Sequence, residues 1–330
     1  MTPSPLCAAL VFAAIGQFAS GDQVLPMDSV SSGLVFSKDG NSLAVVGEDK
    51  KVRIWDLAGG KIARTFEPQA GEVLSVLLAS NGQFAMASTN GEARIRHIES
   101  GLVTATFSLP VAGVSGGWIV STVDGSMLAG SGGDPASSSG NLVRVMDRSG
   151  KILFQSSAGI GDLYSMVFSP SGDTLVAAGL DTDIRLWDAR TGELKRVIED
   201  MKLAMFDLTY SPDGKYLATA GADRTIYLWD TESWKVARKI TGQPETINAI
   251  RFSPDGTMLV TGGMNELNFA SPVKVILWDF VSGRKLHTWT ADHMVQGVSF
   301  SPDGKWVAVA DGSKDVKMWA VPSRRVTSKR

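Results

Sequence analysis

Short apolar runs alternate along most of the chain with clusters of Ser, Pro, Asp, Asn and Gly, and no segment sustains a helical period. Runs such as Thr174-Leu-Val-Ala-Ala178, Met258-Leu-Val-Thr261 and Trp306-Val-Ala-Val-Ala310 are continuous in apolar character. A strand with one wet face alternates instead, so both faces of these strands should be covered. Leu194-Lys-Arg-Val-Ile198 and Lys235-Val-Ala-Arg-Lys-Ile240 mix charge with apolar residues, as a peripheral strand does. The pattern predicts an all-β protein built of units whose strands grade from buried to exposed.

The units repeat. Phe168-Ser-Pro-Ser-Gly172, Tyr210-Ser-Pro-Asp-Gly214, Phe252-Ser-Pro-Asp-Gly256 and Phe300-Ser-Pro-Asp-Gly304 are clear copies. Phe36-Ser-Lys-Asp-Gly40 is a near copy, and Leu78-Ala-Ser-Asn-Gly82 and Ser121-Thr-Val-Asp-Gly125 are weaker ones. A second marker keeps step: Trp55-Asp56, Trp187-Asp188, Trp229-Asp230 and Trp278-Asp279, with His97-Ile98, Met146-Asp147 and Trp319-Ala320 expected at the same place in units 2, 3 and 7. Two series in step across seven units define a repeat of about 42–48 residues.

The turn chemistry explains the first marker. Pro presets φ for the second turn residue, Asp suits the third, and Gly accepts the left-handed position that follows. Between two apolar runs this is a hairpin, and each unit yields four antiparallel strands. One such sheet cannot cover two apolar faces, whereas sheets packed face to face around a ring can. The markers resemble WD repeats over roughly residues 31–321. The resemblance implies a seven-bladed β-propeller of four-stranded antiparallel blades, in which the outer strand of one blade precedes the inner three of the next.

The resemblance is partial. WD repeats often carry a Gly-His pair whose His joins a Ser or Thr, an Asp and the Trp in a buried network. Thr219, Asp223 and Trp229 match three of these positions in blade 5, and Asp49 with Trp55 matches two in blade 1. No repeat has the Gly-His pair, so the network is expected to be incomplete in every blade. Such reduced repeats resemble bacterial propellers more than eukaryotic scaffolds. By resemblance the chain closes its ring with an N-terminal strand, at residues 23–25, against the blade 7 strand carrying Lys317 to Trp319.

The first 21 residues differ from the rest. They contain no Lys, Arg, Asp or Glu, and residues 6–16 form an apolar run too short to span a bilayer but as long as a signal-peptide core. Residues 1–21 are thus expected to be a signal peptide, cleaved before Asp22, and 22–330 the propeller. The protein is then periplasmic or secreted; without cleavage it is cytoplasmic. Cys7 is the sole cysteine, which excludes an internal disulfide and a thiolate metal cluster. A net charge of −2 gives no field that would collect nucleic acid or an anionic membrane.

Little catalytic chemistry is visible, and no cofactor or metal site is expected. His97, His287 and His293 have no metal-ligand spacing. Asp207 is a candidate inward carboxylate on blade 5, expected to be solvated by channel water. Blades 3 and 6 are each lengthened between their second and third strands, at residues 133–141 and 264–272. The resemblance implies that these loops emerge on the face where the chain enters each innermost strand, on opposite sides of the channel mouth. The second carries apolar residues without a strand role, a mark of contact with something else. Met264, Leu267, Phe269, His293 and Arg224 are the candidate partner-binding residues. The expected function is a non-catalytic scaffold binding a protein or peptide at the channel mouth. The alternative is a lactonase-like propeller hydrolase or lyase using the same mouth.

Overall fold

In Ser211-Pro-Asp-Gly214 the Gly214 amide donates to the Ser211 carbonyl at 2.9 Å, closing the turn. The Ser211 hydroxyl donates to Asp213 Oδ1 at 2.6 Å and accepts the Tyr216 amide at 3.0 Å. Asp213 Oδ1 also accepts the Lys215 amide at 3.1 Å. Serine and aspartate thus hold both sides of the hairpin, and the same bonds recur at Ser301 with Asp303. Gly40, Gly125, Gly172, Gly214, Gly256 and Gly304 all have φ between 65° and 77°, the left-handed region that glycine enters without penalty. A Cβ on Gly214 would meet only Pro170 of the preceding turn, at 3.6 Å. Glycine is needed there for its dihedral and not for space. Gly256 lies likewise beside Pro212, Gly304 beside Pro254 and Gly40 beside Pro302, so successive turns touch around one face of a ring.

The computed structural model describes residues 22–67, 73–78, 83–88, 92–97, 100–108, 119–133, 140–160, 162–199 and 201–322. They form seven four-stranded antiparallel sheets and no helix, and so none long and apolar enough to cross a membrane. Blade 5 shows the plan: Met205–Tyr210 innermost, then Tyr216–Gly221, Ile226–Asp230 and the outer strand Lys235–Ile240. The outer strands Leu194–Ile198 and Lys235–Ile240 coincide with the charged runs in the sequence. Gly82 and residues 134–139, which hold most of the blade 3 loop, lie outside the described residues.

The seventh blade closes the ring. Its sheet contains Gly297–Phe300, Trp306–Ala310 and Asp315–Ala320, and its outer strand is Gln23–Pro26 from the other end of the chain. Gln23 pairs with Met318, Val24 with Lys317 and Leu25 with Val316. Leu25 enters the core with Val316 and Met318, which gives the short strand an apolar anchor.

Between blades the core is tryptophan. Trp187, Trp229 and Trp278 are at most 1% exposed. Each packs on the blade before its own: Trp187 on Val143 and Val145, Trp229 on Val176 and Leu186, Trp278 on Ala218 and Leu228. Removing such a residue costs about 3–5 kcal/mol through lost contacts and the cavity left behind.

One expectation is corrected in blade 6. The Trp278 indole donates to Thr261 Oγ1 at 2.8 Å, the Thr261 hydroxyl donates to Gln243 Oε1 at 2.8 Å, and Gln243 Nε2 donates to the Lys274 carbonyl at 3.0 Å. Gly242-Gln243 therefore does the work of the missing Gly-His pair, because a carboxamide also accepts at one end and donates at the other. In blade 5 the network stops at Trp229 Nε1 to Thr219 Oγ1, 3.1 Å, and Asp223 instead accepts the Tyr227 hydroxyl at 2.6 Å. In blade 2 the pairing of Phe84 with Arg96 matches that of Leu43 with Trp55. Arg96, not His97, thus stands at the tryptophan position. His97 takes the aspartate's place, its Nδ1 accepting the Ser100 amide at 3.5 Å as Asp230 accepts that of Ser233.

Candidate functional site at the channel mouth

The innermost strands of blades 1, 4, 5 and 6 begin irregularly, and the irregularity builds the site. In blade 5 Met205 pairs with Gly221 and Asp207 with Ala220, which leaves Phe206 as an extra, bulged residue. Ser32, Tyr164 and Asn248 are bulged in the same way in blades 1, 4 and 6, and Gln296 occupies the equivalent place before Gly297–Phe300. A bulge turns its extra side chain away from the regular alternation. All five of these residues line one cavity of about 850 Å³ at the mouth of the channel, with Met264, Phe269 and Met294 beside them. Tyr164 and Phe206 meet edge to face, ring centres 5.0 Å apart. Burial, with Asp162 adding to it, raises the Tyr164 pKa, so its hydroxyl stays neutral.

The sequence reading missed this ring. Its signal is a fixed offset: Ser32, Tyr164, Phe206, Asn248 and Gln296 each lie four residues before the aromatic that opens a turn marker.

The residue after the bulge faces the next blade. There Asp207 is 7% exposed, which corrects the expectation of a solvated carboxylate. It accepts the Ser165 hydroxyl of blade 4 at 2.9 Å, the Leu208 amide at 2.9 Å, the Ile250 amide of blade 6 at 2.9 Å, and the Arg251 guanidinium. The carboxylate is a clasp across three innermost strands. It supplies an acceptor to the Leu208 and Ile250 amides of two innermost strands, buried groups that need a partner.

The blade 6 loop leans toward blade 7. Phe269 O accepts the Met294 amide at 2.9 Å, and His293 Nδ1 donates to the Ala270 carbonyl at 3.0 Å. Thr246 Oγ1 donates to Glu266 at 2.6 Å, and Asn265 Oδ1 caps the Leu267 amide at 3.0 Å. The loop is thus fixed at both sides, yet Leu267 is 97% and Phe269 56% exposed. Of the sequence candidates, Met264 and Phe269 reach the cavity, Leu267 projects from the loop that borders it, and His293 anchors that loop. Arg224 does not line the cavity. It sits in the blade 5 turn at φ 62° and donates to the Pro244 carbonyl at 2.9 Å. His287 lies on the outer strand Lys285–Ala291, edge to face with Trp289.

Behind His293, Lys317 Nζ bridges Asp292 at 2.6 Å and Asp311 at 2.7 Å. Burial works to raise the Asp311 pKa, but its bonds to Lys317 and Ser313 prevail and leave it below the ordinary value. The pair ties the loop entering blade 7 to the strand that meets the N-terminal closing strand.

Comparison with known proteins agrees with the repeat. The family model described as WD domain, G-beta repeat, matches residues 27–56, 152–188 and 194–230, each stretch ending on a Trp-Asp pair. A second family model, described as Eukaryotic translation initiation factor eIF2A, matches residues 221–321. An uncharacterized WD repeat-containing protein of the cyanobacterium Synechocystis sp. is 25% identical over 181 residues, 54% of this chain and 49% of that protein. The chain thus matches about half the length of that curated relative.

Proposed function

We propose that the chain is a WD-repeat propeller acting as a non-catalytic scaffold that holds a protein or peptide at its channel mouth. The observation that carries this reading is the bulge ring. It places aromatic, carboxamide and hydroxyl side chains around one cavity, beside a loop that keeps Leu267 and Phe269 in solvent. Large apolar groups held in solvent by a fastened loop are a recurrent feature of protein contact sites. Asp207, the acid a hydrolytic reading would enlist, has its lone pairs occupied by four donors. The charge-free residues 1–21 support placing this scaffold outside the cytoplasm.

The test is affinity capture from the native source with the wild-type chain and with a chain lacking residues 265–271. The proposal expects a partner held by the first and lost from the second. Equal capture by both chains contradicts it. So does one divalent metal per chain accompanied by turnover in a hydrolase screen, which is the lactonase-like outcome.

A further inference from the structure

We propose that the chain pairs with a second copy of itself along the outer edge of blade 3. The strand Ile152–Ile160 of each copy lies antiparallel to the other about a two-fold axis at Ser156, joining two four-stranded blades into one continuous sheet.

An outer strand ends its sheet with a row of backbone amides and carbonyls, and proteins guard such edges with lysine, proline or shortness. Blades 1, 4, 5 and 6 place exposed cations on their outer strands, at Lys61, Lys195, Lys235 and Lys285 among others. The outer strand of blade 7 is four residues long and ends on Pro26. Blades 2 and 3 have none of these devices. Val103–Ser108 and Ile152–Ile160 hold no charged residue and no proline. Among the described residues nothing pairs with the outer side of either, and Ile152–Ile160, at nine residues, is the longest strand.

Blade 3 is also complementary to itself. Antiparallel pairing about Ser156 sets Ser157 opposite Gln155, Ala158 opposite Phe154 and Gly159 opposite Leu153 of the second copy. Each large side chain thus meets a small one, and no like charges are opposed. Gln155 and Ser157 are exposed and Ser156 is half-buried, so the pairing covers groups that face water in the single chain. The edge is held in place beforehand. Arg144 donates through Nε and Nη2 to Gln155 Oε1 at 2.9 and 2.6 Å, and through Nη1 to the Ser108 carbonyl of blade 2 at 2.6 Å. A strand fixed in this way loses little freedom on pairing.

Apolar surface flanks the edge. Val103, Ile152 and Leu194 take the same outer-strand position in blades 2, 3 and 4, opposite Arg96, Met146 and Trp187. They are 43%, 48% and 49% exposed, whereas Ile62 and Val236 at that position in blades 1 and 5 are half-buried. An apolar strip across three neighbouring blades favours burial against another surface. A net charge of −2 opposes the approach of two copies only weakly.

The experiment is sedimentation equilibrium of the full chain and of Ser157→Lys over a range of concentrations, with far-UV circular dichroism confirming the fold of both. In a Cys7→Ser background, Ser156→Cys and Thr65→Cys are oxidised and compared without reductant; Thr65 is exposed on the lysine-bearing outer strand of blade 1. Residues directly opposite in an antiparallel pair stand about 4.5–5.5 Å apart at Cβ, close enough for cysteines to bridge. The proposal expects a dimer whose dissociation constant rises about tenfold or more in Ser157→Lys. It also expects a disulfide-linked dimer from Ser156→Cys and none from Thr65→Cys. A chain that stays monomeric at every concentration overturns it. So does a dimer that Ser157→Lys leaves intact, that Ser156→Cys does not bridge, or that Thr65→Cys bridges as readily.

Discussion

Replacing Asp207 by alanine opens the clasp between blades 4, 5 and 6. The carboxylate's acceptors vanish, and the Ser165 hydroxyl, the Leu208 amide and the Ile250 amide lose partners at 2.9 Å each. A buried donor left without an acceptor costs about 1–3 kcal/mol. The mouth cavity borders Asp207, so water will rehydrate part of this set, and the expected loss is about 2–3 kcal/mol in total. In a chain of this size about 1 kcal/mol moves Tm by about 1.5 °C, which predicts a fall of about 3–5 °C. Asp207→Asn keeps one acceptor oxygen and should lose less. Ser165→Ala should add little on the Asp207→Ala background, because both changes remove the same bond. Thermal melting of the four proteins reads all of this. A Tm for Asp207→Ala within a degree of wild type would refute the clasp and return Asp207 to the free channel carboxylates.

Ala177 occupies the second-strand position held by Thr219 and Thr261, and the buried Trp187 Nε1 has no hydrogen-bond partner among the described residues. Ala177→Thr should supply the acceptor and gain about 1 kcal/mol; an unchanged or lower Tm would show that the site cannot take the hydroxyl. Removing residues 22–26 should lower Tm far more than removing 326–330, since the former delete the Gln23–Pro26 strand that closes blade 7, and the reverse order would contradict the closure. The turn hydroxyls of Ser37, Thr122 and Ser211 hold Asp39, Asp124 and Asp213 below the ordinary 3.8, Asp124 at about 2. A depressed folded pKa gives stability that is full above 3.8 and lost as pH falls through the folded value. Tm should therefore be level above pH 4 and drop below it, and a Tm that stays level down to pH 2 would sink the turn assignment.

The blades were legible because their markers are local. Ser-Pro-Asp-Gly dictates its own turn through φ preferences and a serine–aspartate bond, and the outer strands declare themselves by charge. The closing strand was legible too, since residues 23–25 fall at the offset where blade 5 has its preceding outer strand. The mouth was not, because its lining rests on a bulge. One extra residue at the head of an innermost strand breaks the two-residue alternation, so Phe206 reads as one more apolar strand position and Asn248 as a turn residue. Asp207 was misjudged because its partners, Ser165 and Ile250, lie about 42 residues away on either side, and only closure of the ring brings them together. Gln243 was passed over because the expected residue was histidine, although the network requires only an acceptor and a donor at opposite ends of a buried side chain. The loop at 264–272 was found by its length and apolar content, but its fastening through Met294 and His293 belongs to the neighbouring blade.

The most direct test of the mouth as a contact site is photo-crosslinking in intact cells of the native source. A benzophenone amino acid is placed at Leu267, beside the cavity, or at Val281, 70% exposed in the turn before the outer strand of blade 6, on the opposite face. The account predicts a defined crosslinked species from Leu267 and none from Val281. Crosslinks from Val281 with none from Leu267 would contradict it.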